Sequence, residues 1–180
     1  MNLSDIKVLL IQVRHDEILE QEFNCIVETS KLSPKQFVRC NVFEELPTSK
    51  MLDGISAVII GGSGAYCVSE RVIAKEIEAM NALVREVYDQ KIPFLGICFG
   101  SHIMTDALGG VVEHHSEIKE FGSSKVHLTI EATTDPLFMG LPQEFFVQQG
   151  HKDGTMVLPN GAVLLASSFL WKNQAFVMNN

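Results

Sequence analysis

The segment Pro93-Phe94-Leu95-Gly96-Ile97-Cys98-Phe99-Gly100-Ser101-His102-Ile103-Met104 changes its hydrophobic pattern in the middle. Pro93–Cys98 is a short apolar run behind a proline, the texture of a buried strand. From Phe99 the pattern turns helical and continues to Leu108, where Gly109-Gly110 stops it. A strand that passes through a glycine-flanked turn directly into a helix is the repeating step of an α/β fold.

Working outward, the same alternation recurs upstream. Ile6–Val13 is a near-continuous apolar run and reads as a strand buried on both faces. Asp16 is placed to cap a helix running to about Ser30, with Leu19, Phe23 and Ile26 at helical spacing. Ser33-Pro34 breaks that helix; Phe37–Phe43 and Ser56–Ile60 follow as strands, the latter ending in Gly61-Gly62-Ser63-Gly64. The longest helix is expected from Ser69 to Gln90. Val72, Ile73, Ile77, Met80, Val84 and Val87 form its apolar stripe, and Glu70, Lys75, Glu78 and Arg85 point away.

After Gly110 the texture changes to short strands without long helices: Lys125–Ile130, Phe145–Gln149, Ala162–Ala166 and Ala175–Met178. The expectation is an α/β fold with an open, mostly parallel sheet flanked by helices, flavodoxin-like, and a β-rich C-terminal half. With no repeat, low-complexity segment or linker, residues 1–180 read as one domain.

The composition excludes several classes of protein. The chain is 46% hydrophobic and 20% charged, an ordinary globular mix rather than a disordered one. Fourteen Lys+Arg against 22 Asp+Glu leave a formal charge of −8. Nucleic acid and anionic membrane are poor partners for such a chain, because both are held by basic patches. The polar start lacks a signal-peptide pattern, and no stretch approaches the ~18 apolar residues of a membrane span. Cys25, Cys40, Cys67 and Cys98 show no CxxC and no regular spacing, which favours a reduced, cytoplasmic protein with neither a disulfide framework nor a metal site.

In an open α/β sheet, ligands bind beyond the carboxyl ends of the strands. The turns after Ile60 and Ile97 therefore carry the chemical interest. Gly96-Ile97-Cys98-Phe99-Gly100 is G-x-C-x-G, the thiol form of the strand-turn-helix nucleophile elbow. A lone cysteine after a buried strand is ordinarily a small core residue. Flanking glycines, a strand before and a helix after reverse that reading. Cys98 then lies at a helix N-terminus, which favours thiolate, and the Phe99 N–H faces the same space as an oxyanion donor. Gly61–Gly64 taken alone is an ordinary strand-exit turn.

Residues 93–104 resemble the nucleophile segment of the class I glutamine amidotransferases, closest to their GMP-synthase-like branch. Other segments agree in order. Gly61-Gly62-Ser63-Gly64-Ala65-Tyr66 resembles the family's oxyanion loop, and Asp135-Pro136-Leu137-Phe138 with Gly140-Leu141-Pro142 is a recurrent phrase. Gly150-His151-Lys152-Asp153 resembles the substrate loop; Leu165–Ser168 and Asn173–Phe176 are similar to the strands that follow it.

The resemblance implies hydrolysis of the glutamine side-chain amide through a γ-glutamyl thioester at Cys98, with no cofactor. It implies Gly62 and Phe99 N–H groups as oxyanion donors. His102, one helical turn beyond Cys98, reads equally as a glutamine contact or a half-buried histidine hydrogen-bonded to its surroundings. Gly150 and His151 would meet the substrate's amino-acid end, more by backbone than by imidazole; otherwise His151 is a surface-loop histidine. A γ-glutamyl peptide or amine hydrolase uses the same chemistry with another leaving group. Ammonia from such domains is delivered to a synthase, so a synthase subunit is an expected partner.

The resemblance also implies a base, the His of an H-x-E pair after the strand resembling Asn173–Phe176. These 180 residues contain no such pair there. His15-Asp16-Glu17 and His115-Ser116-Glu117 fall elsewhere and read as chance strings in solvated segments. The expectation is a domain truncated at its C-terminus and impaired in glutaminase turnover, with a non-catalytic binding module as an alternative. The strand at Ala175–Met178 would then be an exposed edge, which invites self-association.

Overall fold

A computed structural model of the chain describes residues 3–114 and 120–178, so the His115-Ser116-Glu117 string lies outside the described residues. The chain divides into two compact units, Met1–Ala107 and Leu108–Asn180.

The first unit runs β1 (Val8–Gln12), α1 (Ile18–Ser30), β2 (Phe37–Asn41), β3 (Ala57–Ile60), α2 (Ala74–Asp89), β4 (Phe94–Gly96) and α3 (Phe99–Ala107). Its four strands pair in parallel in the order β2-β1-β3-β4. That order explains the sequence texture of the first strand. β1 is hydrogen-bonded on both edges and all five of its residues are buried, so it tolerates only apolar side chains until Gln12. Leu9, Leu10, Ile11, Val58 and Ile60 form the sheet's share of the core; Ile77, Met80, Leu83, Val84 and Val87 come from α2, and Phe99 and Ile103 from α3. Each such side chain contributes on the order of 1.5–3 kcal/mol by leaving water.

Two helix starts differ from the sequence expectation. The N-cap of α1 is Glu17, with no side-chain cap; the Asp16 backbone carbonyl, not its carboxylate, accepts the Leu19 N–H at 3.1 Å. α2 begins at Ala74 rather than Ser69. Arg71 has a left-handed backbone (φ 55°), which a right-handed helix cannot continue through. Its guanidinium is tied to Asp106 at 2.7 Å and to Glu78 at 3.4 Å. Val72 is therefore left 69% exposed, while the rest of the expected stripe, from Ile73 onward, is buried.

The second unit contains only strands and one 3-10 turn among its described residues. β6 (Glu120–Leu128), β7 (Glu144–His151), β9 (Ala162–Ser168) and β10 (Ala175–Met178) form an antiparallel sheet in the order β10-β9-β6-β7. Among the described residues β10 pairs with β9 alone, so it is an edge strand. Leu128, Ala132, Leu165 and Ala166 make a small core, with Phe138, Phe145, Val163, Ala175 and Val177 packed on it. The Asp135-Pro136-Leu137-Phe138 phrase serves that core. Asp135 Oδ1 accepts the N–H groups of Leu137 (2.9 Å) and Phe138 (3.3 Å), closing a turn that delivers the Phe138 ring.

A separate two-stranded ladder, β5 (Val111–His114) with β8 (Asp153–Val157), is not legible in the sequence. β8 buries Asp153, Gly154 and Thr155 and exposes Met156 and Val157, the reverse of the hydrophobic pattern that marks a strand. A side chain at Gly154 would run into the Trp171 ring, so glycine is required there by close packing. Among the described residues, no helix is long and apolar enough to cross a membrane.

Candidate functional site

Cys98 sits between β4 and α3 with φ 51°, in the left-handed region that non-glycine residues rarely adopt. The surrounding contacts hold it there. A Cβ on Gly96 would lie 2.6 Å from the Gly100 backbone, and one on Gly100 would collide with the Ile60 carbonyl of β3. The Gly100 N–H donates to the carbonyls of Ile97 (3.0 Å) and Gly61 (3.2 Å), drawing the start of α3 onto the end of β3. Behind the turn, the Cys98 carbonyl accepts the N–H groups of Ser101 (2.9 Å) and His102 (3.2 Å) and the Ser101 hydroxyl (2.7 Å). Cys98 itself is exposed, at the positive end of α3, beside first-turn N–H groups that have no acceptor within the helix.

The predicted neighbours take different positions. Phe99, the first helical residue, has a side chain only 2% exposed in the core, so its ring anchors the turn while its N–H stays at the helix start. His102 is buried at 8% exposure on the same helix. Gly62 stands beside Cys98: a side chain there would lie 3.9 Å from Cys98 Cβ. The Gly62 N–H is engaged, donating to Glu22 Oε1 at 3.1 Å.

Glu22 and Arg14 were not singled out by sequence reasoning. Glu22 reaches from α1 to the Gly61–Gly62 turn, and its other oxygen accepts the Gln12 Nε2 at 3.1 Å. A Cβ on Gly61 would press on that carboxylate at 2.5 Å, which is why the loop opens with a glycine. Gln12, 1% exposed at the end of β1, also donates to the Leu19 carbonyl (2.8 Å) and accepts from Arg39 Nε (3.1 Å). This polar cluster ties α1, β1, β2 and the glycine turn together. Arg14, two residues past β1, approaches Glu22 through Nε at 3.5 Å, and its side chain is only 16% exposed. The available signal was position, since a charge that follows a buried strand directly must stand at the strand's carboxyl end.

Further along the same strand ends, His15 stacks on Phe43 with centroids 3.7 Å apart, and Tyr66 lies 5.2 Å from Phe43. The His15-Asp16-Glu17 string therefore places its imidazole on an aromatic ring and its Glu17 at the cap of α1. Cys40, on β2, contrasts with Cys98. Burial, with the Glu45 and Glu44 charges adding to it, pushes the Cys40 thiol up to about 11.

In the second unit β7 extends two residues beyond the expected strand, so Gly150 and His151 are the last residues of a ladder, opposite Phe121 and Glu120. The imidazole is fully engaged. Nδ1 donates to the Asp153 carbonyl at 2.8 Å, while Nε2 lies 2.7 Å from Gln149 Oε1 and 3.2 Å from Glu120 Oε2. Glu120, 3% exposed, also accepts the Ser168 hydroxyl (2.7 Å) and the Gln174 amide. The side chain of His151 thus belongs to a buried polar network, and Gly150 contributes open backbone with no atom near its Cα face.

The chain is similar to known proteins in sequence and in fold. Residues 30–177 match the description of the glutamine amidotransferase class-I family. Over 83 residues, 46% of the chain, the sequence is 41% identical to the GMP synthase [glutamine-hydrolyzing] of Lactobacillus delbrueckii subsp. bulgaricus. It is 42% identical over the same length to that of Staphylococcus epidermidis. These matches span only 16% and 15% of those longer proteins. A solved glutamine amidotransferase from Thermotoga maritima superposes with a TM-score of 0.76 at 26% identity, covering 97% of this chain and 72% of that one. One from Methylobacillus flagellatus, at 20% identity and a TM-score of 0.71, covers 96% and 66% and shares the fold. With its residues 30–177 matched, the chain belongs to the class-I glutamine amidotransferase family.

Proposed function

We propose that the chain, with both units acting as one domain over residues 1–180, binds a γ-glutamyl amide and forms a γ-glutamyl thioester at Cys98. The observation that carries this reading is the φ of 51° at an exposed Cys98 on the N-terminus of α3. The Cys98 sulfur adds to the amide carbon, the C–N bond breaks, and the thiol proton leaves with the nitrogen as ammonia. Water then cleaves the thioester to glutamate and restores the thiol. The Phe99 and Gly62 N–H groups hold the tetrahedral oxygen, and one such donor is worth about 3–4 kcal/mol of barrier. Use of the Gly62 N–H requires the Glu22 carboxylate to give way to the substrate oxygen. The backbone at Gly150 and His151 receives the amino-acid end, and His102 supports the pocket from α3. No metal or cofactor enters these steps.

Turnover of glutamine by these 180 residues is weak in this reading, because neither H-x-E string follows the Asn173–Phe176 segment. A synthase subunit is the proposed consumer of ammonia, by analogy with the GMP synthases matched above. Pairing through β10 is the proposed route of self-association in the cytoplasm. The test is incubation with a glutamine-derived chloroketone, followed by mass spectrometry and an ammonia assay. The expected result is one covalent adduct at Cys98, blocked by glutamine, with little ammonia released. Labelling spread over several cysteines, unaffected by glutamine, overturns the binding reading; brisk Cys98-dependent ammonia release overturns the weak-turnover reading.

A further inference from the structure

Arg14 is a largely buried cation, its side chain 16% exposed, and its Nε is enclosed without an acceptor. A guanidinium carries five N–H donors in a planar fork, and a desolvated fork without acceptors is costly. Among the described residues the partner of the Arg14 fork is Glu22, which stands 3.5 Å from Nε, too loosely aligned for a hydrogen bond; Nε itself is buried without an acceptor. The opposite edge, Nη1 and Nη2, borders the glycine loop. A Cβ on Gly64 would lie 3.3 Å from Nη1, and one on Gly62 would lie 3.6 Å from Nη2. That same Gly62 Cβ would lie 3.9 Å from Cys98 Cβ, so the free edge stands one side chain's breadth from the nucleophile. Arg39, which reaches the same cluster from β2, behaves differently: it donates to Gln12 and twice to Glu20, and lies over the Phe23 ring.

We propose that Arg14 anchors a carboxylate in a leaving-group subsite, so that the chain takes γ-glutamyl amino acids in preference to glutamine. The inference rests on the γ-glutamyl thioester reading above and names its substrate class. The Nη1–Nη2 edge matches a carboxylate with two parallel hydrogen bonds, the geometry for which arginine is suited and lysine is not. In a γ-glutamyl amino acid the α-carboxylate lies two bonds from the scissile nitrogen, a reach that fits a guanidinium beside Gly62. Glutamine, whose leaving group is ammonia, leaves this edge unoccupied. Glu22, whose carboxylate stands 3.5 Å from Nε, offsets the charge of the guanidinium when the subsite is empty.

The test uses the 180-residue chain and reads protection of Cys98 from iodoacetamide, which needs binding but not turnover. The ligands are γ-glutamylglycine, N-methylglutamine, which has a similar leaving group without the carboxylate, and glutamine. In the wild type, γ-glutamylglycine is expected to protect at a concentration at least about fivefold lower than N-methylglutamine. Arg14→Met is expected to erase that gap and leave N-methylglutamine unchanged; Arg14→Lys is expected to keep a reduced gap. Thermal unfolding of both variants shows whether the fold persists, and the Lys variant retains the charge if Met does not fold. Equal protection by the two γ-glutamyl compounds in the wild type, or a gap that survives Arg14→Met, overturns the assignment. An equal loss for both ligands in Arg14→Met also overturns it, since that marks a general oxyanion or structural role. If none of the three protects the wild type, the parent reading falls and this one with it.

Discussion

The Cys98 turn and the His151 strand end are both polar sites at the ends of strands, yet they are built in opposite ways. At Cys98 the backbone is held in a left-handed conformation and the residue is exposed. At His151 both ring nitrogens face acceptors, and the buried Glu120 is surrounded by Ser168, Gln174 and the imidazole. One site keeps its reactive groups open by geometry; the other closes its polar groups on each other. The difference teaches that segments of one family motif set can be built to leave a side chain exposed or to enclose it in hydrogen bonds.

The widest gap expected from that contrast is in thiol reactivity. At neutral pH, Cys98 should be alkylated at least about a hundredfold faster than Cys40, because thiolate at a helix N-terminus meets reagent freely and a buried, high-pKa thiol does not. Peptide mapping after timed iodoacetamide exposure measures this, and comparable rates would break the elbow argument. Next in size is Glu120→Ala, expected to destabilise the fold by about 2–4 kcal/mol, since it strands the Ser168, Gln174 and His151 groups that hydrogen-bond to the buried carboxylate. Denaturant unfolding reads it; a loss below about 1 kcal/mol would mean the network is not structural.

Gly100→Ala sharpens the other side. Its Cβ has no room against the Ile60 carbonyl, so α3 must shift off β3 at a cost of about 1–3 kcal/mol, and chloroketone labelling of Cys98 should slow more than stability alone explains. The smallest effect is a pH slope. Burial pushes the folded Cys40 thiol up to about 11 from its ordinary value of 9.0, so the folded state keeps its proton to higher pH than the unfolded one. Stability from this group is complete below pH 9 and falls as pH rises from 9 to 11. Cys40→Ser should lack that slope when unfolding is followed across the same range.

Much of the first unit was legible because periodicity and burial coincide there. β1 is buried on both faces and reads as an apolar run, and α2 shows its stripe from Ile73 to Val87. The start of α2 was misplaced because a left-handed residue at Arg71 leaves no mark in hydrophobic pattern. β8 was illegible because its buried positions are Asp153, Gly154 and Thr155, chosen to fit a ring and a hydrogen-bond network rather than to be apolar. Cys98 and Phe99 could be singled out from spacing, since glycines flanking a cysteine on a strand-to-helix turn have a steric meaning that survives in one dimension, whereas Gly62 was reached only through the family resemblance. Arg14 and Glu22 could not, because what makes them notable is which donors find acceptors.

The sequence by itself determined the alternation of strands and helices, the family, and the position of a cysteine on the glycine-flanked turn. Those follow from local rules: period, turn chemistry and the space that glycine leaves. Tertiary structure decided that the Gly62 N–H is held by a carboxylate from α1, that the His151 imidazole is engaged on both nitrogens, and that the Arg14 fork faces the loop beside Cys98. Hydrogen bonds between residues far apart in the chain depend on how elements pack, and no local pattern encodes which polar atoms that packing leaves over.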